Sequence, residues 1–278
     1  MQVGGLAWFL NNQLDNFIVG ALSVRTVGIY NTGNTVASQL NSLVGNVLGP
    51  TAVQLGNTYG KGGRERVFEQ FRRIQRIWVA AVTGWSAVGM AAAYYAVVAW
   101  LGPQFRLGGW MAVTIIAGYF PVQCASMLSL YVNVMLHAGI EMRYGLVMLA
   151  GNVVLMLPLS LLGPIAVAAA AGVPQVASAA YFVHMARRTI RSDIPNFFKQ
   201  VPMLRAGASA IVTLVLELLL RPHLSVGALG LLECVPPAIV SLGVFACVLS
   251  GPRKAVGFVS TAVRTRQLAQ LASLGSSE

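Results

Sequence analysis

The chain has 278 residues, of which 56% are hydrophobic and only 10% charged, and its mean hydropathy is +0.69. Soluble domains carry about 25% charged residues, so this composition excludes an ordinary water-soluble fold and makes lipid the expected solvent. The formal charge of +11 does not indicate a nucleic-acid partner. Such a protein shows its cations on a water-facing patch beside a soluble core, whereas here they fall between apolar runs.

A membrane-crossing helix needs about 20 apolar residues, and such runs stand at roughly 3–22, 33–55, 77–101, 108–136, 144–163, 164–185, 203–221 and 225–250. The expected fold is all-α, a polytopic membrane bundle of about eight transmembrane helices. A β-barrel would instead show short alternating segments. Pro50, Pro121, Pro158, Pro174 and the Pro236-Pro237 pair fall inside these runs, a habit membrane helices tolerate where neighbours re-satisfy the backbone.

In chain order, the first run carries Asn11, Asn12, Gln13, Asp15 and Asn16 near its midpoint. An aspartate at that depth costs about 2.5 to 3.5 kcal/mol on insertion scales, so this helix is not expected to face lipid. Asn12, Asp15 and Asn16 share one helical face, and Asp15, as an intramembrane ionisable group, is the leading candidate site for a coupling cation or for substrate. The alternative is a purely structural role, fastening helices together. The second run brings Asn31, Asn34, Thr35, Ser38, Asn41, Ser42 and Asn46 at three- and four-residue spacing. Asn34, Ser38 and Asn41 are therefore expected to help the first helix wall a hydrated path. Gly45 and Gly49 form a G-x-x-x-G pair beside Pro50, which indicates close helix packing.

Between the second and third runs, residues 60–76 mix six cations with Val67, Phe68, Phe71 and Ile74. At helical spacing this is an amphipathic stretch for the membrane surface, with Glu69 placed to pair with Arg73; it reads as an orientation signal at the lipid head groups, the alternative being capture of an anionic lipid substrate. Trp100, Phe105 and Trp110 surround the connection from the third to the fourth run, and Trp78 opens the third. All four read as interfacial anchors. Glu217 and Glu233 stand close to the short connection between the last two runs, where local water lowers the cost of an acid.

If all eight runs cross, the connections alternate sides, and sixteen of the nineteen Lys and Arg residues fall on one side. The other side receives only Arg25, Arg106 and Arg221. The positive-inside rule then puts both termini in the cytoplasm. Cys124, Cys234 and Cys247 stand singly in apolar runs, and His137, His184 and His223 are scattered. Neither set has the spacing of a metal site, and no acidic or histidine group indicates an enzyme. No metal and no cofactor is expected.

From Leu10 to about Arg191, about two-thirds of the chain, the order of features resembles the C-terminal lobe of polysaccharide flippases. These are the O-antigen and exopolysaccharide exporters of the multidrug/oligosaccharidyl-lipid/polysaccharide superfamily. The matching pieces are Asp15 with Gly20, then Val27-Gly28-Ile29-Tyr30, then Pro50 followed by the basic connection. After these come Leu101-Gly102 with Phe105, His137-Ala138-Gly139 with Arg143, and the turn from Gly163 to Ala170. Ala166 stands where the family commonly has a second glycine in that turn.

The resemblance implies a six-helix lobe over 1–190, a trailing helix pair over 191–250 and a cytoplasmic tail over 251–278, in a bacterial inner membrane. It implies transport of a lipid-linked oligosaccharide for cell-surface polysaccharide, with Arg25 as the nearest cation for its pyrophosphate. Because alternating access needs two repeats, it also implies a partner N-terminal lobe, this chain being a C-terminal portion or one half of a split transporter. The competing expectations are a cation-coupled multidrug exporter of the same superfamily and a membrane-embedded glycosyltransferase or acyltransferase.

Overall fold

The computed structural model describes residues 24–220 and 227–250. The first apolar run and the C-terminal tail lie outside the described residues. Among those described there is no strand, and eight α-helices follow one another: α1 Val24–Asn46, α2 Leu48–Leu101, α3 Arg106–Val134, α4 Ala138–Ser160, α5 Pro164–Thr189, α6 Met203–Leu220, α7 Ala228–Glu233 and α8 Val235–Ser250. Single 3-10 turns sit at Pro103–Phe105 and Phe197–Gln200.

Four helical segments are long and apolar enough to cross a membrane: Val27–Leu101, Pro103–Val134, Ala138–Met156 and Ile165–Thr189. Shorter apolar stretches, Ala206–Val215 and Val235–Phe245, lie in α6 and α8. The all-α expectation therefore holds with a different division. The second and third expected spans belong to nearly continuous helix, and the last expected run is broken at Cys234 between α7 and α8.

That long helical segment is a hairpin. Residues 24–32, expected as a connection, are already helical, and α1 passes into α2 through Val47 in ordinary helical geometry. The chain reverses at Gly63, whose φ of 68° and ψ of −169° break the helix in a region that a side chain disfavours. The returning arm packs antiparallel to the first. Trp85 Nε1 donates to the Leu40 carbonyl at 3.1 Å, and a side chain on Gly89 would touch Leu40. At the far end Gly102, with φ 94°, donates its N–H to Val98, and Pro103 opens the next turn.

α3 is the central post, packed against α1, α2, α4 and α5. It continues through Pro121 and crosses α5 closely enough that a Cβ on Gly118 would lie 2.9 Å from the Gly172 Cα. Gly33 on α1 is equally constrained, its Cβ position being 2.6 Å from the Gly108 carbonyl oxygen. Small residues thus bring the backbones together, as membrane helix contacts require. Among the described residues they are not the expected pair, since none lies within 4 Å of a side chain placed on Gly45 or Gly49. The G-x-x-x-G spacing there is on an open face.

Two cores result. One gathers Leu55, Val67, Phe68, Phe71, Tyr131, Phe182 and Phe197 at the hairpin turn. The other gathers Tyr30, Val97, Met111, Met156 and a series of alanines at the opposite end. The amphipathic reading of 60–76 is corrected here. The stretch is helical, but Val67, Phe68 and Phe71 are buried in the first core, with Ile74 against it. Its apolar face is spent on protein, not on the membrane surface. α4 shows the reverse: Leu146, Val147, Val153 and Val154 are exposed, the pattern of a peripheral helix whose outer face meets an apolar solvent.

α6 and α8 pack on the returning arm of α2. Gly227 donates to the Ala99 carbonyl and Phe245 lies against Gly84. The polypeptide therefore rises along α6 to the end of α2 and descends along α8.

Candidate functional site

The connections rich in Lys and Arg come together at one end of the bundle. Arg191, just past α5, hydrogen-bonds both Glu65 carboxylate oxygens at 2.7 Å and grips Asp193 through Nε at 2.9 Å. Its guanidinium also lies 4.1 Å from the centre of the Phe68 ring, a cation–π contact. Those hydrogen bonds, donated to Glu65 first and to Asp193 second, hold Arg191 protonated even more firmly than an ordinary arginine. The hairpin turn and the segment after α5 are thereby tied, 126 positions apart in the chain. The expected Glu69–Arg73 pair is not among the ion pairs of the described residues. Phe71 stacks on Tyr131 at 4.5 Å, which levels the end of α3 with the middle of the basic segment. Arg106 opens α3 at the other end, near Gly102.

Inside the bundle a relay of polar side chains joins three helices. Gln123 Nε2 on α3 donates to Asn41 Oδ1 on α1 at 2.9 Å, while Ser86 Oγ on α2 donates to Gln123 Oε1 at 3.2 Å. The adjoining carbonyls of α3 are also occupied. Trp78 Nε1 donates to the Gln123 carbonyl at 2.7 Å, and Gln75 Nε2 to the Cys124 carbonyl at 3.2 Å. Trp78 is thus buried and bonded internally, which corrects its reading as an interfacial anchor. Trp100 and Trp110 keep exposed surface near the opposite turn, in keeping with that reading.

Of the residues expected to form a path, Asn41 enters this relay. Asn34 and Ser38 are half-buried above it on the same face of α1, the Ser38 hydroxyl donating to its own helix at Thr35. Asn31, Thr35, Ser42 and Asn46 are exposed, so the stripe turns away from the bundle. Arg25 lies in the first turn of α1, on a helix and not in a loop. Asp15, Asn12 and Asn16 lie outside the described residues. Beside α1 there is a groove of about 560 Å³ whose wall includes Leu40, Trp85, Ala92 and Ala238 and is almost wholly apolar.

Several polar residues had no role in the sequence reading. Gln75, Ser86 and Gln123 are buried at α2 and α3, and Asn152, Gln175 and Ser178 are buried at α4 and α5. Glu141, in the first turn of α4, accepts from Ser129 Oγ at 2.5 Å, where the helix N-terminus favours a carboxylate. One signal was available for Ser86, Gln123, Asn152, Gln175 and Ser178, namely an amide or hydroxyl within an apolar run, where polar groups seek partners; Gln75 and Glu141 lie outside those runs. Among the described residues no three His, Cys, Asp or Glu side chains gather as metal ligands.

What the arrangement of the described residues offers chemically is hydrogen bonding along α1 and positive charge at one end. Comparison with protein-family models, with curated proteins and with solved structures finds no match.

Proposed function

We propose that the chain is a multi-pass membrane transporter component, one lobe of a flippase that moves a lipid-linked oligosaccharide for cell-surface polysaccharide. The observation that carries this reading is the amide and hydroxyl stripe of α1, turned outward from an otherwise apolar bundle and connected inward through Asn41 and Gln123. Polar groups facing hydrocarbon alone are costly, so the stripe needs water, a second polar surface or a sugar head group beside it. A sugar-bearing substrate crossing between two lobes satisfies that requirement. The basic end then faces the cytoplasm with both termini, in a bacterial inner membrane, and a second lobe lies across the stripe. Asp15 supplies coupling or substrate contact in the same path.

The test is transport in proteoliposomes carrying a fluorescent undecaprenyl-pyrophosphate oligosaccharide, with the full transporter and its Asp15→Asn and Asn34→Leu variants. The expected outcome is movement of the labelled lipid between leaflets, abolished by the first change and lowered about tenfold by the second. Undiminished transport by both well-folded variants would remove Asp15 and the α1 stripe from the path. An absence of transport by the unmodified protein, together with gradient-driven movement of a fluorescent organic cation, would replace the oligosaccharide by a drug.

A further inference from the structure

The hairpin turn carries a cavity of about 380 Å³ on the outer face of the arm that leads into Gly63. Its lining changes in character along the arm. Pro50 and Val53 are exposed apolar residues at the membrane-ward end. Gln54 and Asn57 follow with amide groups, and Lys61 and Arg66 close the other end with two cations. The reversal makes this possible, because Lys61 precedes Gly63 and Arg66 follows it. The aliphatic part of Arg66 lies against Gly62, where a side chain would collide with it.

The charge of this end is not neutralised from within. Glu65, the nearest carboxylate in the chain, is held at both oxygens by Arg191. Lys61 and Arg66 enter no ion pair among the described residues. A graded cavity, apolar at one end and doubly cationic at the other, matches an amphiphile that carries a phosphate near its chains. Its height agrees: Phe71, level with the last turns of α3 through Tyr131, is eight residues or about 12 Å from Gly63. With the last turns of α3 at the edge of the hydrocarbon, the cavity falls at the level of lipid phosphates.

We propose that this cavity is a binding site for the headgroup of an anionic phospholipid, with Lys61 and Arg66 on the phosphate and Pro50 and Val53 against the root of the acyl chains. The site rests on the chain's residence in a membrane and is independent of what the protein transports. Bound lipid at this place would fix the hairpin turn at the headgroup level.

The experiment is native mass spectrometry of the purified protein released from micelles containing equal phosphatidylglycerol and phosphatidylcholine. The unmodified chain is expected to retain phosphatidylglycerol at least tenfold over phosphatidylcholine. Lys61→Gln with Arg66→Gln should lower that retention by about thirtyfold, while Arg73→Gln with Arg76→Gln, the same charge loss outside the cavity, should change it less than about twofold. The exchange Lys61→Arg with Arg66→Lys keeps both charges and should restore binding, which separates loss of the site from loss of the fold. Equal loss from both glutamine pairs would reduce the effect to diffuse surface charge and overturn the proposal. So would displacement of the lipid by millimolar inorganic phosphate, which would make this a site for a free anion.

Discussion

At the hairpin turn Phe71 stacks on Tyr131 at 4.5 Å and Arg191 is fastened to Glu65, whereas at the opposite end Gly33 lies against the Gly108 carbonyl among alanines. The first end is held by large rings and charged groups that meet at particular angles. The second is held by close backbone approach at small residues, so that many small dispersion contacts accumulate around Tyr30, Met111 and Met156. Cohesion at the first end resides in a few replaceable groups. At the second it resides in space that nothing else may enter.

This contrast can be broken from the first end most severely. Phe71→Ala removes a fully buried ring and should cost about 3 to 5 kcal/mol, read as unfolding in detergent. A loss below about 1 kcal/mol would show that the aromatic cluster is loose packing. At the second end a single methyl group should suffice: Gly33→Ala places a Cβ against backbone atoms and should destabilise by about 2 kcal/mol. The same change at Gly45, on an open face, should stabilise α1 by up to about 1 kcal/mol, and equal signs at the two positions would contradict the packing described.

Between the ends, Gln123→Leu breaks the bonds to Asn41 and Ser86 and should cost about 1 kcal/mol, since hydrogen bonds between membrane helices average about 0.6 kcal/mol. A double-mutant cycle with Asn41→Leu should recover a coupling of that size, and strict additivity would dissolve the relay. The smallest effect belongs to Arg191→Gln. It should lower the unfolding midpoint at low salt only, because at about 1 M salt the Debye length is about 3 Å. A salt-independent loss would assign Arg191 to packing over Phe68.

The helical runs, the tolerated Pro121 and Pro174, and the collection of cations at one end were legible because hydrophobic length and loop charge are properties of the chain itself. Less legible was which face of each helix turns inward. Lipid tails are as apolar as leucine, so Phe68 and Phe71 read equally well as membrane-surface or core residues. Trp78 reads as an anchor until its indole is seen on the Gln123 carbonyl. The contacting glycines were missed for the same reason: Gly33 and Gly118 have no sequence partner at fixed spacing, their partners being Gly108 and Gly172 on other helices. Of the polar relay, Asn41 was singled out by the spacing of α1. Gln123 was not, because one amide in an apolar run carries no period.

The reversal at Gly63 gives the molecule a mechanical property. Each arm beyond it is a rod, and from Gly63 to Leu101 the returning one is about 57 Å long, so a pivot of about 5° at that one residue would sweep the far tip through about 5 Å. Bracing against such splaying comes from the bond of the Trp85 indole to the Leu40 carbonyl, partway along the lever, and from the relay of Asn41, Gln123 and Ser86. The angle at Gly63 is thus set by contacts made well away from it, along the arms.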